Sequence, residues 1–218
     1  MRRITKGPEP KVLTEHRARR GESFDDIRDK GPLRDALLRE QRHLCCYCMR
    51  RIDKETMKIE HFWPQSRHSD KAIDWGNLLG ACPGNAGKPW RLQTCDTRKG
   101  DREIRLDPRG PLVDHIRYSN SGHVEIDDTE LQQELDDALN LNTEQLAENR
   151  RHALQGLVMV IRRERGKTGS WPGDALLRKL SRLDAEGRAT VRCSEPGARM
   201  PDGCGSVGCT GSARLLSA

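Results

Sequence analysis

Eight cysteines, unevenly spread, constrain this chain more than any other feature of it. Five fall between residues 45 and 95, at Cys45, Cys46, Cys48, Cys82 and Cys95, and three near the end, at Cys193, Cys204 and Cys209. No apolar run approaches the roughly 20 residues of a membrane helix. Met1-Arg2-Arg3-Ile4-Thr5-Lys6 has the charge of a leader peptide but no apolar segment behind it. The expectation is a cytoplasmic chain, away from membranes, with its thiols reduced; clustered cysteines there read as metal ligands before disulfides. Cys45-x-x-Cys48 puts two thiolates on one tight turn, half of a tetrahedral zinc site, and Cys82 with Cys95 supplies the other half. Unpaired buried thiols, or iron on the same four ligands, are the competing readings. Cys46 is the spare, read as packing; a Cys46/Cys48 pair is geometrically poorer.

Composition sharpens the point. The 218 residues make one sizeable core plus appendages, but only 34% are hydrophobic and 4% aromatic, against 33% charged. In so polar a chain a metal cross-link would contribute much of the local stability. The net charge of +6 is mild, and most of the cations are arginine. That suits bidentate phosphate contacts, although the codon bias of a G+C-rich genome explains it equally well.

Read in order, residues 1–31 are polar with little periodicity beyond a short helix from Ser23 to Ile27. Pro32 opens a helix with Leu33, Leu37, Leu38, Gln41 and Leu44 on one face, delivering the chain into Cys45. Residues 49–63 read as strand, turn and strand, and Trp75-Gly76-Asn77-Leu78-Leu79 as the opening of a helix toward Cys82. A Gly/Pro-rich insertion fills residues 83–94. Asn120-Ser121-Gly122 is flanked as a hairpin, and helices are expected over 129–140, 143–165 and 174–188. Residues 191–218, with glycines, three cysteines and few large apolar groups, read as a flexible tail. The expected fold class is α+β, mainly helical. Its parts are a lead-in at 1–44, a core at 45–112, a hairpin plus helices at 113–190, and the tail.

Between the cysteine pairs lies a second constellation: Glu60-His61, Asn77, and Asp96-x-x-Lys99. Each is weak alone. In combination with Cys45-x-x-Cys48, Asn77-Leu78-Leu79, Cys82 and Cys95-Asp96-x-x-Lys99-Gly100 it resembles the HNH endonucleases of ββα-metal type, in their zinc-bound form. Flanking pieces are similar to one HNH subfamily, the PtuB nuclease component of Septu-type and retron-linked anti-phage systems. These are the opening hexapeptide, Leu37-Leu38-x-x-Gln41-x-x-Leu44-Cys45, Asp74-Trp75-x-Asn77-Leu78-Leu79, and Leu139-Asn140-Leu141-Asn142. The similarity covers about residues 1–165.

That resemblance implies a nuclease acting on nucleic acid, DNA first. It implies an ABC/SMC-like (PtuA-like) ATPase partner, and in retron systems a reverse transcriptase with its msDNA. Structural zinc would be held by Cys45, Cys48, Cys82 and Cys95. A separate magnesium or manganese ion would be held by Glu60 and Asp96, with Asn85 the substitute for Asp96. His61 would take the proton from water, Asn77 would brace the loop, and Lys99 and Arg98 would meet phosphate. A bend or bulge at the end of the strand would let Glu60 and His61 serve one site. Glu60 and Asp96 stand where many HNH motifs have Asp and His or Asn; both keep oxygen donors. The competing function is a zinc-knuckle module that binds nucleic acid or the ATPase without cutting.

Overall fold

The structure, a computed structural model, describes residues 1–19 and 23–168. The expected helix over 174–188 and the three tail cysteines lie outside the described residues. The described residues divide into two compact units, Met1–Ile116 with Ile126–Thr143, and Arg117–Glu125 with Glu144–Thr168.

In the first unit, α1 (Lys11–Arg17) buries Leu13 and His16, and α2 (Gly31–Glu40) carries Pro32 in its first turn and buries Leu33, Ala36, Leu37 and Leu38. The one-sided leucine spacing predicted α2; α1 is too short and polar to show any periodicity. Two strands follow, β1 (Lys58–His61) and β2 (Leu78–Ala81), antiparallel with the register Lys58↔Ala81, Ile59↔Gly80, Glu60↔Leu79 and His61↔Leu78. The five-residue helix α3 (Cys95–Lys99) comes next in the chain. Then come α4 (Thr129–Gln133), capped by the Asp128 carboxylate, and a π-helical turn over Glu134–Ala138.

Two sequence expectations change here. The stretch at Trp75 does not open a helix: a single 3-10 turn (Trp75–Asn77), capped by Asp74, gives way at once to β2. All four residues of β2 are buried, and a short run buried on both faces carries no period by which strand could be told from helix. Likewise, the strand expected early in residues 49–63 reduces to one isolated bridge, Leu44↔Arg51.

Gln41 joins α2 to this small sheet. Its amide accepts from the Gly80 N–H at 2.6 Å and donates to the Gly80 and Leu44 carbonyls at 2.7 and 2.8 Å, so a side chain completes the pairing of β2. Gln41→Ala would take away the partner of the Gly80 N–H, while the Gly80 carbonyl keeps the Cys46 N–H at 3.0 Å, and an orphaned buried polar group costs about 1–3 kcal/mol. The expected result is a clear fall in the urea midpoint; an unchanged midpoint would refute the bridging role.

In the second unit, β3 (Arg117–Tyr118) and β4 (Val124–Glu125) form the expected hairpin, and α5 (Glu144–Thr168) the expected long helix. Gly122, at φ 87°, lies so close to α5 that a Cβ would meet the Ala147 carbonyl oxygen at 2.0 Å. Among the described residues no helix is long and apolar enough to cross a membrane.

Candidate metal centre and carboxylate pair

Cys45, Cys48, Cys82 and Cys95 are all buried, and their sulfurs all lie within 4.8 Å of one another. The Cys48–Cys82 and Cys82–Cys95 separations are each 3.7 Å. A tetrahedron with Zn–S near 2.3 Å has edges of about 3.8 Å, so this cage is already the size of a zinc thiolate site. Both cysteine pairs are shaped by left-handed backbone. Met49, following Cys48, has φ 65°, and Cys95 itself has φ 56°. Gly84, two residues after Cys82, has φ +57°, and a Cβ there would meet the Thr94 carbonyl oxygen at 2.2 Å. The insertion therefore returns to Cys95 as a closed loop, and its length does not open the cage. Cys82 is held far below the usual thiol range by Cys45, Cys48 and Cys95, while Cys45, Cys48 and Cys95 are pushed well up. Four sulfurs at this spacing could hold a metal ion such as zinc. Arg50 adds an N–H to Cys82 Sγ at 3.6 Å. Cys46 stays outside the set, buried, its thiol pushed up to about 11 by burial.

Asp96 directly follows Cys95, the last of the four clustered cysteines, and α3 turns it toward β1. There Glu60 is buried, with Oε1 accepting from the Tyr47 hydroxyl at 2.7 Å and paired with Lys99 Nζ at 2.9 Å. Burial first, then the hydrogen bond and charge of Asp96, push the Glu60 carboxyl well above the usual range. Burial would raise Asp96 too, but the Glu60 hydrogen bond and the Lys58 ammonium hold it low. Lys58 pairs with Asp96 and donates to Thr97 Oγ1 at 3.2 Å. Two carboxyl groups thus share one contact, flanked by two ammonium groups. Hard oxygen donors in contact fit a divalent cation in kind, with Lys58 now on the Asp96 oxygen. Tyr47 and Lys58 escaped the sequence reading, although Lys58 is two residues before Glu60 on one strand and so shares its face.

His61 faces elsewhere. The β1–β2 register runs unbroken through His61↔Leu78, so the expected bulge is absent and neighbouring side chains alternate. Its Nε2 lies 3.0 Å from the Ala72 carbonyl and its Nδ1 3.3 Å from Gln65 Nε2, and its ring meets Phe24 edge-on at 4.5 Å. A carbonyl only accepts, so Nε2 carries the proton and Nδ1 the lone pair. Burial lowers the imidazole pKa against the Ala72 bond, keeping the ring neutral. Among the described residues the cysteines are the one group of three or more such ligands; His61 does not join Glu60 and Asp96 around a point.

Asn77 is buried at the start of β2. Its Oδ1 accepts from the Trp63 N–H at 2.8 Å, and Nδ2 donates to the Trp63 and Lys71 carbonyls at 3.0 and 3.1 Å. It clamps the chain two residues past His61. Asn85 points into the insertion, donating to the Leu92 carbonyl at 2.7 Å, and does not reach Glu60.

The expected phosphate contacts need correction. Lys99 is only 1% exposed and its charge is spent on Glu60, so it cannot meet a phosphate from this position. Arg98 lies over the Trp90 ring at 4.1 Å and donates to the Trp90 and Asp137 carbonyls. Removing one partner of a buried ion pair costs about 3–5 kcal/mol. Lys99→Met should therefore destabilise the fold by that order in urea denaturation, and adding Glu60→Gln should recover part of the loss. If the single variant unfolds at the wild-type midpoint, the pair is not a structural element.

No family model matches the chain. Over 92 residues it is 32% identical to the Septu protein PtuB of Bacillus thuringiensis, a stretch that is 39% of this chain and 32% of that protein. Over 122 residues it is 30% identical to a protein of Escherichia coli named as the candidate HNH endonuclease of retron Ec83, covering 47% of each. The chain therefore spans less than half the length of these curated relatives. Both likenesses bear out the resemblance to HNH nucleases of the PtuB kind.

Proposed function

We propose that this chain is a metal-dependent HNH endonuclease, hydrolysing phosphodiester bonds of nucleic acid in anti-phage defence beside an ABC/SMC-like ATPase. The observation that carries the reading is the contact between Glu60 on β1 and Asp96 on α3, next to the thiolate cage. Magnesium or manganese at such a pair supplies charge relief for the scissile phosphate and the departing oxygen. Glu60 and Asp96 would hold it through oxygen, once Lys58 releases Asp96. Lys99 keeps Glu60 in place. His61, neutral and with its lone pair on Nδ1, has the tautomer of a general base, and the Ala72 carbonyl fixes that tautomer and favours the imidazolium once formed. His61 faces away from the Glu60–Asp96 pair, so in this reading the longer of its two bonds, to Gln65 at 3.3 Å, would give way as the ring turns to meet a water. Asn77 keeps the strand end from shifting. Zinc on the four cysteines is a separate, closed site and activates no water.

One observation favours the second reading, a zinc-knuckle module that binds without cutting. Lys58 and Lys99 already balance the two carboxylates, and His61 is only 8% exposed. Zinc-loaded protein, alone and with the ATPase, should cut circular DNA internally when manganese or magnesium is added. Intact circles in both preparations would favour the binding module.

A further inference from the structure

The loop between Cys82 and Cys95 carries an unusual surface. Among the described residues three large hydrophobic side chains are exposed, and two of them, Trp90 (54%) and Leu92 (45%), lie on this loop. The loop is held firmly. Asn85 Nδ2 donates to the Leu92 carbonyl, Gln93 Nε2 to that of Lys88, Asn140 Nδ2 to those of Arg91 and Gln93, and Arg98 to that of Trp90. Thr94 closes it with a backbone bond to Gly84. So much bonding holds the backbone beneath an indole that stays more than half exposed. Arg98 and Arg102 lie at 4.1 and 5.3 Å from the indole centroid. Arg98 donates to the Trp90 and Asp137 carbonyls and Arg102 to the Lys99, Asp137 and Ala138 carbonyls, so both guanidinium groups are anchored beside the ring. Lys88 and Arg91, on either side of Trp90, are exposed. Residues 83–94 contain no acidic side chain.

The geometry points to this loop as a docking surface for single-stranded nucleic acid, an unpaired base stacking on Trp90 while Lys88 and Arg91 meet the flanking phosphates. An indole takes a base only when that base has left its own stack, so the surface selects strands that are single or locally opened. The cationic, acid-free rim complements a polyanion. The assignment rests on the nucleic-acid reading above and narrows it to unpaired strands; α3, which carries Asp96, begins at the loop's end.

The test is binding without cleavage: fluorescence anisotropy of a labelled mixed-sequence 20-mer DNA strand, and of its blunt duplex, with zinc-loaded full-length chain and no other divalent cation. Trp90→Ala should weaken single-strand binding about five- to a hundredfold, and duplex binding far less, while Trp90→Phe keeps most of it. Lys88→Gln with Arg91→Gln should lower the slope of log affinity against log salt by about 0.7 for each lost phosphate contact. Zinc content and urea midpoint should not move, because these side chains are exposed. If the wild type binds neither probe, the nucleic-acid reading falls and this assignment with it. If the wild type binds and Trp90→Ala binds equally well, the loop assignment alone is overturned, and the surface is left for a protein partner.

Discussion

Cys48→Ser is expected to release zinc and unfold the first unit. The cage ties the turn after α2 to the end of β2 and the start of α3, three places far apart in sequence. Apparent binding energies of structural zinc are about 10–16 kcal/mol, and a domain's whole stability is about 5–15 kcal/mol. Loss of one thiolate therefore threatens the entire margin. Emptying the cage leaves four buried sulfurs within 4.8 Å of one another with no ion to bind them together, so chelator should act like the mutation. Metal analysis with circular dichroism checks this. A Cys48→Ser protein with full zinc and an unchanged melting curve would show that the four sulfurs are not the ligands. Cys46→Ser is the control: outside the cage, it should keep the metal.

His61→Ala is expected to do the opposite, abolishing cleavage while leaving zinc in place. General-base assistance contributes about 10²–10⁴-fold, and the cut should fall by at least the lower figure. The ring is packed against Phe24 and bonded to Ala72, so some stability will go with it. His61→Asn, smaller in that loss, gives the cleaner comparison. Cutting at the wild-type rate by either folded variant would remove His61 from the mechanism. Zinc lost in parallel with activity would mean that the two sites are one.

What the sequence made legible was the chemistry with fixed spacing. Cys45-x-x-Cys48 identified its turn, and Cys82 and Cys95 could be paired with it despite the insertion, because thiolates tolerate any loop that closes. The leucine face gave α2, and Asn120-Ser121-Gly122 gave the hairpin. Residue directions stayed hidden. Whether the chain bulges between Glu60 and His61 depends on the pairing with Leu79 and Leu78, which a single strand does not announce. Lys99 was expected to meet phosphate, yet its partner is Glu60, 39 residues earlier, and only the folded β1–α3 contact buries both. β2 was hidden for the reason that makes it central: with every side chain buried it shows no alternation.

Electron paramagnetic resonance of manganese added to zinc-loaded protein tests the central claim most directly. Two chemically separate metal sites predict one exchangeable manganese per chain beside an undisturbed zinc. Asp96→Asn should weaken that manganese sharply without touching the zinc, and Lys58→Ala, freeing the Asp96 oxygen, should tighten it. Manganese that stays in solution, or that binds equally well with residue 96 changed, would contradict a cation site on Glu60 and Asp96.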